Sequence, residues 1–201
     1  ITVISHSDND HAGGLSGVLS NIPVSRFISN REQLVGDIQA EFCHDAMAWN
    51  WDEVEFIFLQ VSGDFAQENN NSCVLQIRFK RLRILLPGDI ERAADKQLVR
   101  KYSGELASTI LLAPHHGSLS SSSYAFLKQV QPGFVVFSAG YRNSFGHPHD
   151  AVRSRYDEFG SGAFSTADSG MISFDIGSME GAEREVAEIN RHRKQNLRYW
   201  H

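Results

Sequence analysis

The nine residues "HSDNDHAGG" at positions 6–14 decide how this chain is read. Two histidines and two aspartates stand between His6 and His11, with nothing bulkier than serine and asparagine among them. A solvated turn rarely concentrates so much ligand chemistry. The run follows "ITVIS", a β-branched stretch that reads as a strand. Gly13 and Gly14 then allow a tight turn into a helix with apolar positions at Leu15, Val18 and Leu19.

Two further clusters stand at strand ends. Gly88 and Asp89 close "LRILLPGD", and His115 and His116 open "HHGS" directly after the buried strand "STILLAP". Loops at strand ends are where a rigid scaffold holds binding residues. Together the three clusters offer imidazole nitrogens and carboxylate oxygens of the kind that bind divalent metals. A lone loop histidine is more often surface decoration. A His-x-Asp-x-Asp-His run backed by glycines, in line with two more clusters, is far more specific.

With 201 residues, 41% of them hydrophobic and 21% charged, the chain is long enough to bury a sizeable core and reads as one globular domain, 1–201. Its longest apolar runs, "VEFIFLQV" and "GFVVFSAG", are far shorter than the ~18 residues of a membrane helix. The chain opens on Ile1 rather than methionine, so a targeting or membrane segment upstream stays open. A net charge of −5 gives no general attraction to nucleic acid, so any polyanion binding has to be local. The basic runs "RFKRLR" (78–83) and "RHRKQNLR" (191–198) read as a solvated strand face and a solvated terminal helix. Cys43 and Cys73 form no CxxC pair and exclude a cysteine-built zinc site. Buried free thiols are the expectation in a reducing compartment, a bridge the alternative in an oxidising one.

Periodicity predicts a short strand at "SRFIS", a poorly patterned acid-rich stretch through residue 46, and strands at "WDEVEFIFLQ", "SCVLQIRFK" and "LRILLPGD", the middle one with a wet face. Helices at "IERAADKQLVRK", "YAFLKQV" and "AVRSRYDEF" then alternate with strands at "STILLAP", "FVVFSAG" and "MISFDI". A charged terminal helix is expected from about Glu183. Strands paired first among themselves and then alternating with helices imply an α/β fold of sheets covered by helices.

"HSDNDHAGG", "LLPGDIE", "HHGSLSSSS" and "SAGYRNSFGHPH" resemble the metallo-β-lactamase-fold hydrolases, and within them the C-terminal hydrolase domain of ComEC-type competence proteins. "WNWDEVEF", "NNNSCVLQI" and the closing "LRYW" extend the likeness over nearly the whole chain. The resemblance implies an αββα sandwich with a dinuclear metal site at one edge, and a nuclease acting on DNA during uptake by metal-bound hydroxide attack on phosphorus. Carried across, His6 and Asp8 would hold one metal, Asp10 and His11 the other. Asp89 would bridge both, and one of His115 and His116 would complete the second site. Catalytic roles fall to Asp10, which would steer the hydroxide, and to His115 and His147, which would contact phosphate or protonate the leaving group. His147 can equally belong to a surface loop stiffened by Pro148, with His149 exposed. Most of Ser118–Ser123 read as turn and helix-capping residues.

The chain departs from the wider superfamily where Asp8 replaces a common histidine, and where "ENNNS" before the strand near Ser72 lacks another. Oxygen donors favour manganese or magnesium over zinc, so two divalent ions are expected, manganese first and zinc second. No small-molecule cofactor is expected. Resembling domains begin with strands upstream of "SHSDNDH", so the chain reads as a fragment with a shortened first sheet. It would follow a membrane channel domain of the same chain and face the periplasm or cell exterior. That location favours the Cys43–Cys73 bridge. Two other functions remain open: hydrolysis of a smaller ester such as a phosphocholine or lactone, and a metal-stabilised DNA-binding module without turnover.

Overall fold

A computed structural model of the chain describes residues 1–31, 34–35, 38–61, 65–177 and 186–196. Strand β1 (Thr2–Ile4) leads through helices α1 (Asn9–Ala12) and α2 (Leu15–Asn21) to β2 (Phe27–Ser29), the small pair β3 (Leu34–Val35) and β4 (Ile38–Gln39), and β5 (Glu41–Phe42). β1, β2 and β5 form an all-parallel sheet in that order. An antiparallel meander follows: β6 (Ala48–Trp51), β7 (Val54–Phe58), β8 (Leu75–Phe79) and β9 (Leu82–Leu86). From β9 the chain alternates through α3 (Arg92–Lys101), β10 (Ile110–Leu112), α4 (Tyr124–Val130), β11 (Phe134–Phe137), α5 (Asp150–Glu158) and β12 (Gly162–Ser165). β9 to β12 pair in parallel, as helical crossovers allow, and complete a seven-stranded sheet. After α6 (Thr166–Ser169), a separate hairpin of β13 (Ile172–Ile176) and β14 (Val186–Arg191) precedes α7 (His192–Gln195).

Three apolar clusters order the layers. Leu15 of α2 packs with Phe27, Ala40, Ile4 and Leu19 on the outer side of the small sheet. Ile28 of the small sheet meets Phe58 and Leu75 of the large one between the sheets. Leu85, Leu111 and Val135 of the large sheet's far face bury Ala94, Leu98, Leu127, Val152 and Tyr156 of α3, α4 and α5. Removing such side chains from water is the main force holding the layers together. Val18 faces solvent, unlike its expected partners Leu15 and Leu19.

Of the two open readings of Cys43 and Cys73, the bridge holds: their Cα atoms lie 5.9 Å apart and both sulfurs are in the core between the sheets. Several expectations need correction. The strand expected from Trp51 begins only at Val54: Asp52 and Glu53 both have positive φ, the two-residue turn a tight hairpin requires, and residues before them pair as β6. β8 has no wet face over Gln76, which is fully buried and donates to Ser108 Oγ at 3.2 Å and Glu105 O at 3.0 Å, because the segment after α3 covers it. Where a terminal helix was expected from Glu183, residues Val186–Arg191 form a strand; antiparallel pairing with β13, from Ile172 opposite Arg191 to Ile176 opposite Val186, outweighs local helix preference, and only His192–Gln195 are helical. Residues 183–185 and the closing "LRYW" lie outside the described residues. His149 is half-buried, its N–H bonded to Gly117 O at 3.1 Å. Among the described residues, no helix is long and apolar enough to cross a membrane.

Candidate metal centre

The three clusters meet at the C-terminal ends of β1, β9 and β10. Their convergence depends on two glycines. Gly88 has φ +59°, and a Cβ there would lie 2.8 Å from Ser72 Cβ and 3.0 Å from Ser5 Cβ. The chain can therefore pass between those serines and deliver Asp89 only as glycine. Gly117, at φ +88°, would likewise press a Cβ to 2.7 Å from Pro148. Before it, His115 and His116 both adopt left-handed backbone angles, φ 48° and 54°. Consecutive non-glycine residues in that region carry strain of the sort that marks functional turns.

Asp89 is the hub. Its Oδ1 lies 3.2 Å from His11 Nε2, and its Oδ2 lies 3.4 Å from His116 Nε2 and 3.9 Å from both His6 Nε2 and His115 Nε2. Ligand-type atoms of His6, His11 and Asp89 form one close group, and those of Asp10, His11 and His116 a second. His11 thus belongs to both groups rather than to the second alone. Asp8 Oδ2 stands 3.5 Å from His6 Nε2, at the solvent side. Asp10 Oδ2 is 3.2 Å from His116 Nε2. Of the adjacent histidines, His116 enters a close group. His115 instead turns its Nδ1 to Glu91 Oε1 at 3.3 Å, and its Nε2 lies 3.5 Å from Asn69 Nδ2. His147 stands one ring behind, its centroid 5.7 Å from that of His115 and 6.5 Å from that of His116.

Ser5 escapes a reading by spacing, since nothing in "ISHSD" singles it out. Its Oγ lies 3.1 Å from Nδ1 of both His6 and His11. An oxygen with two lone pairs can accept from both Nδ1–H groups, a tautomer that would leave both Nε2 lone pairs free for a bound cation. Glu91, two residues beyond Asp89, is also placed only by the fold; it accepts from Ser120 Oγ at 2.9 Å while facing His115. The "ENNNS" stretch is scaffolding. Asn70 Oδ1 accepts from Glu91 N and Ala94 N at the start of α3, and Ser72 Oγ accepts from Asp89 N at 3.1 Å. Ser123 caps α4 by accepting from Phe126 N, and Ser121 and Ser122 bond Pro114 O and Tyr156 Oη.

Electrostatics match this geometry. Burial, then the neighbouring His11, hold the His6 pKa below its ordinary value, so its imidazole is neutral near pH 7. Burial would raise the Asp89 carboxyl, but hydrogen bonds from His11 and His116 outweigh it and keep the group ionised, well below the usual carboxylate range. The bond to Asp89 raises His116. His6 Nε2 is buried and has no hydrogen-bond partner. A buried imidazole nitrogen left unpaired costs about 1–3 kcal/mol, unless something absent from the protein chain takes its lone pair. A cation beside Asp89 would do so, and the donor set fits one.

Residues 1–140 match the family model of the metallo-beta-lactamase superfamily. The chain belongs to that superfamily. Metallo-beta-lactamase folds imply divalent metal binding, and the His/Asp cluster supplies the ligand types for it. The chain is 36% identical over 176 residues to competence protein ComA of Neisseria gonorrhoeae, covering 87% of this chain and 25% of that protein. It is 32% identical over 171 residues to recombination protein 2 of Haemophilus influenzae, covering 85% of this chain and 21% of that protein. It therefore spans about a quarter of the length of these relatives or less. Among solved structures, a CmlA β-hydroxylase variant superposes with TM-score 0.51 at 12% identity, over 82% of this chain and 43% of that one. That likeness concerns the metallo-beta-lactamase fold alone.

Proposed function

We propose that this metallo-beta-lactamase domain hydrolyses phosphodiester bonds of DNA during uptake, with two divalent cations held by His6, Asp8, Asp10, His11, Asp89 and His116. The observation that carries the reading is the buried, unpartnered His6 Nε2 facing an ionised Asp89. The names of the competence and recombination relatives point to DNA as the substrate. Their greater length fits a domain joined to a membrane channel and facing the periplasm or cell exterior.

When bound, such cations supply positive charge for a phosphate and acidify a water molecule. Asp89 belongs to one group and reaches His116 of the other at 3.4 Å. Ser5 fixes the two imidazoles that point at it. Asp10, exposed at the mouth, orients the attacking water and accepts its proton. His115, steadied by Glu91 through Nδ1, presents Nε2 to the leaving oxygen. His147, behind the pair, contacts a non-bridging oxygen. Asp8 makes one group richer in oxygen, so manganese is the favoured ion and zinc the second choice. Asp8→His is expected to move that preference towards zinc, measured by metal analysis after equilibration with both ions.

The deciding experiment incubates metal-depleted protein, resupplied with manganese or zinc, with linear single- and double-stranded DNA and with a small phosphodiester. Cleavage of DNA upholds the reading. Turnover of the small ester alone points to a small-ester hydrolase, and DNA binding without any turnover to a binding module.

A further inference from the structure

We infer that Phe145 is a stacking platform for an unpaired nucleobase, which sets a single-stranded phosphodiester over the mouth formed by Asp10 and His116. This rests on the DNA-hydrolase reading and adds the substrate's strandedness and the residue that selects it. Three rings step outward from the centre. The His116 side chain is 22% exposed, His147 is half-buried, and Phe145 is 75% exposed. Their planes are nearly parallel: His116 and His147 differ by 28° with centroids 6.5 Å apart, and His147 and Phe145 by 24° at 5.8 Å. The series ends in an open aromatic face.

The loop that carries Phe145 is closed on itself. Asn143 Nδ2 donates to Gly140 O at 3.1 Å and to His147 O at 2.6 Å, while its Oδ1 accepts from His147 N at 2.9 Å. Gly117 O then takes the His149 N–H and ties the loop to the His115–His116 turn. The phenyl ring is held in water by a fixed frame, where it gains almost nothing from burial in the fold. Tyr141, on the same loop, is 66% exposed, and the Arg142 guanidinium lies 5.2 Å above its ring. Arg193 approaches the same ring at 6.0 Å.

Exposed rings interleaved with guanidinium groups are the working surface of single-strand binding: rings take base faces, and cations follow the backbone. On a chain of net charge −5, such local features must supply the attraction. Inside a duplex both faces of each base are covered by its neighbours. Away from duplex ends, Phe145 finds a free face only on an unpaired strand.

The test uses hydrolysis-resistant phosphorothioate strands with manganese present, and measures affinity by fluorescence anisotropy. A short oligothymidylate should bind wild-type protein on the order of ten-fold more tightly than an abasic strand of the same length, the effect of one stacked base. Phe145→Ala should lose that difference, Phe145→Trp should keep it, and duplex affinity should be alike in all three proteins. A base preference that survives in Phe145→Ala, or is absent from the wild type, overturns the platform. The two readings fail separately. Base preference without cleavage of natural DNA sinks hydrolysis and leaves the platform. Cleavage together with a Phe145→Ala protein that binds both strands as the wild type does sinks the platform and leaves hydrolysis.

Discussion

Asp10 and His116, 106 residues apart in the chain, meet with Oδ2 and Nε2 3.2 Å apart. The neighbouring His115 is held instead by Glu91. The two histidines should therefore fail differently. On the proposed two-ion arrangement, His116→Ala is expected to reduce bound metal from two ions towards one, read by metal analysis, with loss of turnover. On the proposed proton-donor role, His115→Ala should keep the bound metal and slow the chemical step by roughly 10²–10⁴-fold.

Gly88 has φ +59° and no room for a Cβ beside Ser72 and Ser5. Gly88→Ala is expected to cost about 1–3 kcal/mol for the left-handed backbone, and more for the contact with Ser72. Because the next residue is Asp89, weaker metal binding should accompany the loss. Urea midpoints and metal titration measure the two effects.

Cys43 and Cys73 are separated by 30 positions and link the small sheet to the start of β8. Closing a loop of that length restricts the unfolded chain by about 3–4 kcal/mol. Reduction, or a Cys43→Ala, Cys73→Ala pair, should lower stability by that order. Metal affinity should fall too, since Cys73 N–H donates to Ser5 O at 2.8 Å and so braces the residue behind His6 and His11.

Asp95 is buried at the start of α3, where its carboxylate accepts from Ser123 N at 3.1 Å. Burial raises its pKa despite that bond. A carboxyl whose folded pKa is raised holds its proton more tightly in the folded chain. Its contribution favours folding below the ordinary carboxylate range and is lost as pH climbs through the raised value. Asp95→Asn, which can still accept from Ser123, should gain stability relative to wild type as pH rises from acid to neutral. Asp95→Ala strands the Ser123 N–H and should lose about 1–3 kcal/mol. Thermal melts across pH separate these outcomes.

The sequence by itself determined the donor chemistry of the site and the order of most strands and helices. Those features are local: a ligand-rich run between glycines, apolar alternation, and helical spacing are written in adjacent residues. Tertiary structure decided what depends on distant neighbours. Two consecutive left-handed residues, permitted by Gly117, sent His116 rather than His115 towards Asp10. Packing of one sheet on the other brought Cys43 to Cys73, and cover from the segment after α3 buried Gln76. Pairing with β13 made a strand of residues Val186–Arg191, whose charges alone suggested a helix. Glu91 acquired its place in the same way: it is ordinary in its own stretch of chain and faces His115 only because separate strand ends converge.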